Sequence, residues 1–196
     1  SDPFMLFDED HFELFFRGTG SYLNDTYDRN GYNYIYHQTS TDGINWTEPK
    51  LILNNNAPER YMSISVIKED NIYKIWYVNY DGKVRYTESP DLINFTRPID
   101  ISLFNFNLNV WHGEMQFVDD KYMFIFMIKY KLFYAESLDG INFDSPREIN
   151  TDLKDIKCKN IHIYKTSYVV TDKYIELYIP YRVDSVWKMY YEKMLK

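Results

Sequence analysis

At 196 residues the chain has room for one compact domain or one repeat array. Hydrophobic residues make up 45% and aromatic residues 19%, enough for a core, and the 20 Tyr and 13 Phe favour strands over helices. A formal net charge of -7 with no Lys/Arg cluster excludes an electrostatic nucleic-acid surface, and a single cysteine, Cys158, excludes an internal disulfide framework and a cysteine-rich zinc site.

The chain is expected to repeat one unit four times. The first begins with an apolar run at Pro3–Phe7, an acidic turn at Asp8-Glu9-Asp10 and an aromatic run at Phe12–Phe16. A Gly-, Tyr-, Asn- and Asp-rich insertion follows at Gly18–Asn33, with Tyr22, Tyr27 and Arg29 as rim candidates. The unit closes on Ser40-Thr41-Asp42-Gly43-Ile44-Asn45-Trp46, followed by Pro49. The second unit carries Ile64–Ile67, Glu69-Asp70-Asn71, Ile72–Val78, and then Ser89-Pro90-Asp91-Leu92-Ile93-Asn94-Phe95 with Pro98. The third carries Met115–Val118, Asp119-Asp120, Tyr122–Ile128, and then Ser137-Leu138-Asp139-Gly140-Ile141-Asn142-Phe143 with Pro146. The fourth carries Tyr168–Val170, Thr171-Asp172 and Tyr174–Ile179, and reaches Tyr190-Tyr191-Glu192 with no obvious outer strand.

The Ser-x-Asp turns recur at 89 − 40 = 49 and 137 − 89 = 48 residues, a period that fits four-stranded propeller blades. Each apolar–turn–aromatic stretch reads as a hairpin, and no segment keeps a 3.6-residue period, so helix should be scarce. The predicted fold is an all-β propeller of four-stranded antiparallel blades over about 1–54, 59–103, 111–150 and 160–196, one domain in all. A propeller must close, so a further strand or N-terminal blade is expected beyond these four, or a strand from a partner chain. No apolar run is long enough to span a bilayer and no signal peptide is visible. A cytoplasmic site and secretion with the signal removed both stay open.

Aligning the repeats on Phe12, Tyr73, Tyr122 and Tyr174 places Asp2, Ser63, His112 and Tyr164 at the start of each first strand. Phe4, Ser65, Glu114 and Thr166 come two residues later, on the same side. Polar groups at these starts are what a pocket floor requires. Trp111 adds an indole that could stack on a sugar ring. His112 could bond a hydroxyl or hold a structural cation near the axis, and no other cofactor is expected. Arg60, just before the second first strand, could bind an anionic glycan through its planar fork. Arg17, Tyr77, Asn79, Tyr181 and Arg182 lie at strand 2–3 turns on the same end. The Asp-Gly-Ile-Asn turns lie at the other end and read as structural.

Asp2-Pro3-Phe4-Met5, Ser65-Val66-Ile67 with Tyr73-Lys74-Ile75-Trp76-Tyr77, Tyr86-x-Glu88-Ser89 and the Asp-Gly-Ile-Asn-Trp turn resemble the arabinanase/levansucrase/invertase superfamily, which includes glycoside hydrolase families 32, 43 and 68. The resemblance runs over nearly the whole chain. It implies a five-bladed ring, of which four blades are visible, with a closed four-bladed propeller as the alternative, and an oligo- or polysaccharide ligand. It also implies three acids on successive first strands: an Asp, a tuning Asp and a general-acid Glu. Asp2 matches the first and Glu114 can match the last. Ser63 stands where the middle Asp is expected, with Glu59 upstream of it. Three functions follow as expectations: a glycoside hydrolase with Asp2 and Glu114 as its carboxylate pair, a non-catalytic glycan-binding propeller, or a protein-contact propeller.

Overall fold

The computed structural model describes residues 2–18, 34–53, 61–79, 81–104, 109–155 and 162–196. It has the expected all-β propeller architecture, and the one helical element among the described residues is a 3-10 turn at Asp152–Asp155. Contacts divide the chain into two compact units, Ser1–Asp100 and Ile101–Lys196, each carrying two blades.

In the first unit, blade one is the antiparallel sheet β1 (Phe4–Asp8), β2 (His11–Gly18), β3 (Tyr34–Ser40) and β4 (Lys50–Leu53), in that order. Blade two repeats it with β5 (Met62–Glu69), β6 (Ile72–Val78), β7 (Val84–Ser89) and β8 (Ile99–Asp100). The alternation of apolar residues gives each sheet one inward face. Phe15, Ile35 and Leu53 from blade one meet Ile64, Val66, Ile75 and Tyr77 from blade two in a single core. Each such aliphatic side chain contributes about 1.5–3 kcal/mol on burial. The first strands β1 and β5 touch, as hub strands do around an axis.

In the second unit, β9 (Ser102–Leu103) runs parallel to β13 (Asn142–Phe143) at the edge of blade three. Blade three itself is β10 (His112–Val118), β11 (Lys121–Ile128) and β12 (Lys131–Ser137), with β13 and β14 (Arg147–Ile149) both paired to β12. Blade four has an interrupted first strand, β15 (His162–Ile163) and β16 (Ser167–Val170). Both pair with β17 (Tyr174–Val183), whose other side carries β18 (Val186–Leu195). Met123, Ile125 and Leu132 pack against Tyr168, Ile175, Leu177 and Ile179 in this unit's core.

The repeated turn explains its own sequence. The Ser40 hydroxyl donates to Asp42 Oδ1 at 3.0 Å and accepts from the Gly43 amide at 2.9 Å. Asp42 Oδ1 accepts from the Ile44 and Asn45 amides at 2.8 and 2.7 Å, and Oδ2 accepts from Asn45 Nδ2 at 2.7 Å. Blade three repeats this set through Ser137, Asp139 and Asn142. Glycine suits the fourth position because φ is positive there, +72° at Gly43 and +73° at Gly140; Leu92 adopts +57° in blade two. In blade two the Asn94 and Ile93 amides and the Asn94 side chain hold the Asp91 carboxyl down at about 2. A carboxyl lowered in this way stabilises the fold above its ordinary value of about 3.9, and the contribution fades as pH falls toward 2. A carbonyl-carbon NMR titration should find the Asp91 midpoint near 2; a midpoint near the ordinary value would show the turn unformed in solution.

Gly113 is demanded by close approach rather than by φ. A Cβ there would lie 2.5 and 2.7 Å from the Phe124 ring and 3.0 Å from Phe126 Cβ. The two rings are stacked at 4.7 Å and both are buried, so neither can swing aside. Gly113→Ala should therefore cost about 1–3 kcal/mol in chemical denaturation through overpacking.

Candidate functional site

In the first unit the site begins where the hub strands start. Asp2 lies directly before β1, opposite the end of β2, and Arg17 from β2 meets it with Nη2 3.0 Å from Oδ2. Both members of the pair are largely shielded from solvent. Asp2 and Ser63, which the repeats align, are both buried and both have φ of +50°. At Ser63 the pairing of β5 with β6 slips between Met62 and Ser65. A left-handed residue other than glycine costs about 1–2 kcal/mol and persists only where its surroundings impose it. Two blades thus bend the backbone at the same point, each presenting a short polar side chain there. Arg17, expected to touch ligand, pairs with Asp2.

Tyr77 departs from its expected place at a rim. It is buried in the core of this unit, edge-to-face with Tyr61 at 4.8 Å, and burial raises its hydroxyl far above the ordinary tyrosine value. The reason is alternation: it shares the inward face of β6 with Ile75. Asn79 serves the turn that follows, its Oδ1 accepting from the Asp81 and Lys83 amides at 3.0 Å each. Arg60 and Glu59 lie outside the described residues, as do Cys158 and the Tyr22, Tyr27 and Arg29 of the insertion.

In the second unit Glu114 is buried on β10. Its Oε2 accepts from the Ser167 hydroxyl of β16 at 2.9 Å and its Oε1 from Gln116 Nε2 at 2.9 Å. The same Gln116 amide reaches the Tyr168 carbonyl at 2.6 Å, so the acid is bonded into both blades of the unit. Glu114 pairs Ile125, and Ser167 pairs Tyr178, three residues beyond Tyr122 and Ile175 respectively. Ile175, not Tyr174, is therefore the counterpart of Tyr122, and Ser167, not Thr166, that of Glu114. Choosing the neighbouring aromatic shifts a strand register by one and turns every side chain to the other face.

Trp111, His112 and Tyr164 do come together. The Trp111 and His112 rings stack at 5.9 Å, and His112 meets Tyr164 at 4.3 Å. Rings that sequence reasoning passed over extend the group on both sides. Tyr130, in the β11–β12 turn, lies 5.7 Å from Trp111 and 4.7 Å from His162, and Trp187, at the start of β18, lies edge-on to Tyr164 at 5.7 Å. The missed signal was an aromatic within or just beyond the strand 2–3 turn of blades three and four, Tyr130 and Trp187.

At the opposite end of blade one, Asp8, His11 and Glu13 offer ligand atoms within 4.8 Å of one another. The site already has its cation. Lys68 pairs with Asp8 and lies 3.7 Å from Glu13. The buried Glu13 also accepts from His37 at 2.6 Å and from the Tyr73 hydroxyl at 3.1 Å. Burial alone would raise the Glu13 carboxyl, but His37, Tyr73 and Lys68 together bring it below its ordinary value. This cluster ties blade one to blade two and is structural.

No family model matches the sequence, and no curated protein does. Solved structures do. The chain is similar to an α-L-arabinofuranosidase from Clostridium thermocellum, with a TM-score of 0.70 at 13% identity over 100% of this chain and 68% of that one. An exo-β-1,3-galactanase from the same organism gives 0.66 at 14% identity, over 97% of this chain and 48% of that one. A GH43 endo-arabinanase from Bacillus licheniformis gives 0.61 at 11%, over 97% and 72%. The chain thus spans about half to three quarters of the length of these relatives. At such identities the likeness is one of fold: the β-propeller of the family 43 glycoside hydrolases.

Proposed function

We propose that this chain recognises an oligo- or polysaccharide at the end of the blades where the hub strands start, and cleaves a glycosidic bond with Asp2 and Glu114 as its carboxylates. The same reading takes the four blades as four of five. The observation that carries it is the buried Asp2, held in a left-handed backbone and gripped by Arg17, with the same bend repeated at Ser63. Strain of this kind gathers at functional sites because a scaffold tolerates it only where a side chain must be aimed. The solved structures named above are an α-L-arabinofuranosidase, an exo-β-1,3-galactanase and an endo-arabinanase, which supports a carbohydrate as the ligand class.

In this reading Asp2 acts as the carboxylate that attacks the sugar or activates water, with Arg17 fixing its direction. Glu114 delivers a proton to the leaving oxygen. Ser167 and Gln116 hold the Glu114 carboxyl in one orientation. Trp111 and Tyr164 contact the sugar, with His112, placed among the ligand contacts by sequence, buried behind them.

A second reading, glycan binding without turnover, draws on two observations. Both oxygens of Glu114 are engaged by neighbours, and Ser63 stands where the resemblance expects an acid. A glycan array run beside a glycosidase panel separates the two, with Glu114→Gln as control. Turnover lost in the variant supports hydrolysis. Binding without turnover, unchanged in Glu114→Gln, removes it and leaves the lectin-like reading. Neither binding nor turnover on any glycan ends both.

A further inference from the structure

The second unit also holds a half-open cavity of about 220 Å³. It lies where the outer strands of blade three meet the first strand of blade four. Leu132 of β12, Ile149 of β14, Leu153 of the 3-10 turn and Ile163 of β15 give it an aliphatic lining. Its two charged neighbours, Lys131 and Glu148, are bonded to each other at 2.9 and 3.0 Å and leave no unbalanced charge at its edge. Thr151 lines it too, only 9% exposed, and its hydroxyl has no hydrogen-bond partner among the described residues. Buried hydroxyl groups are normally bonded, so this one is open to a group that the cavity receives.

Tyr130 completes the wall, and its backbone is unusual. Lys129 and Tyr130 form the two-residue turn between β11 and β12, and both have positive φ, +46° and +65°. The turns of the same kind at Asp70-Asn71, Asp119-Asp120 and Asp184-Ser185 are filled by short polar residues, which tolerate a left-handed backbone through local hydrogen bonds. A tyrosine has no such compensation and is an outlier there. Strain of this kind marks a side chain that is needed where it stands. What the turn gains is a ring that lines the cavity and lies 5.7 Å from the exposed Trp111.

We infer that this cavity holds an uncharged ring of benzene size, brought there as an aryl substituent of the sugar that stacks on Trp111. The inference rests on the carbohydrate reading above and adds a part of the ligand that is not sugar. A sugar ring does not suit the cavity itself. Its hydroxyl groups would meet an aliphatic lining and a single threonine, and each unmatched one would lose its hydrogen bonds to water. An aryl ring has none to lose, its face can lie against Tyr130, and a hydroxyl or ester oxygen on it can bond Thr151. The size agrees. An aliphatic cavity of about 150 Å³ takes up benzene, so this one has room for such a ring and one polar group. An aromatic aglycone and an aromatic acyl ester share this chemistry. Either one, leaving a sugar on Trp111, has Tyr130 as its next wall.

Phenol and toluene, added to the full chain, probe the cavity without any sugar. Both are expected to shift the methyl NMR signals of Leu132, Leu153 and Ile163. Thr151→Val should weaken phenol roughly threefold and leave toluene unchanged. Calorimetry then compares the methyl glycosides of arabinose, xylose and galactose with their phenyl glycosides and with benzoyl esters of the methyl glycosides. In the series that binds, one of the two aryl forms should bind roughly tenfold more tightly than the plain methyl glycoside, and which one it is separates an aglycone from an ester. Ile149→Trp, which fills the cavity, should remove that gain and leave the methyl glycoside unchanged. Circular dichroism identical to wild type checks that each variant is folded, and Thr151→Val, which keeps the volume, still answers should Ile149→Trp fail to fold. Methyl signals that neither phenol nor toluene shifts overturn the cavity site and leave glycan recognition in place. Aryl forms that bind no better than the methyl glycosides, or a gain that survives Ile149→Trp, put the ring elsewhere and overturn the inference. Phenol bound in the cavity with no glycoside of any kind bound overturns the carbohydrate reading and the sugar tether together.

Discussion

Replacing Asp2 by Asn is expected to lower glycosidic turnover by about 10²–10⁴-fold, with substrate affinity changed far less. The substitution keeps the side chain's size and removes the charge that, on the hydrolase reading proposed above, attacks the sugar or takes the proton from water. Arg17 then faces a neutral amide in place of the carboxylate it now meets at 3.0 Å. Glu114→Gln should fall in the same range, because an amide has no proton to give the leaving group at neutral pH. On the hydrolase reading the two carboxylates serve one reaction and their losses are not additive, so the double variant should be little slower than the worse single one. Arg17→Met provides a milder case. Its effect should appear in kcat and in the shape of the pH–rate profile rather than in KM, since the guanidinium aims Asp2 and does not hold the sugar. Steady-state kinetics on the substrate identified by the panel measure all four. An Asp2→Asn chain as active as wild type would take Asp2 out of the chemistry.

Glu13→Ala should destabilise the first unit by about 3 kcal/mol, near the lower end of what breaking a buried charged cluster costs. The carboxylate is buried and serves His37, Tyr73 and Lys68 at once. Its loss leaves the tyrosine hydroxyl and the imidazole with no acceptor in a shielded place, while Lys68 keeps Asp8. The sign with pH follows from the direction of the shift. The Glu13 carboxyl is lowered in the fold, so its contribution is fully present above the ordinary glutamate value of about 4.3 and disappears as pH falls through the lowered folded value. Urea denaturation at pH 7 and at successive steps below 4 should show the wild-type chain losing its advantage over Glu13→Gln in acid. An advantage that persists at the lowest pH would mean that the cluster stabilises by packing alone.

Some of the site could be read in the chain and some could not. Asp2 and Ser63 stood out because their repeats align and because polar residues are unusual at hub starts, and both proved buried. Their shared left-handed backbone was not legible, since neither is a glycine and the local preference of aspartate for positive φ is too weak to single out one position. Arg17 carried a charge to the right end of the blade, yet its partner sits fifteen positions away in sequence and one strand away in space. Tyr77 looked like a rim residue by its position near a turn, and alternation put it in the core instead. Tyr164 was aligned through the wrong aromatic and still reaches His112, because the interrupted first strand of blade four shifts the chain back by one residue.

The blade unit and its turn were legible from residue order alone. A Ser-x-Asp-Gly-Ile-Asn turn is held by bonds between residues two or three apart, and strand alternation repeats every two. Both are local, so both survive translation into sequence, and three copies at a steady spacing announced the architecture. Folding in three dimensions decided what the order of residues leaves free: which strand slips by one, which arginine meets which aspartate, and that Trp187 and Trp111 share one row of rings. These are contacts between distant parts of the chain. Their energy depends on a register that a single bulge can shift, and no nearby residue records it.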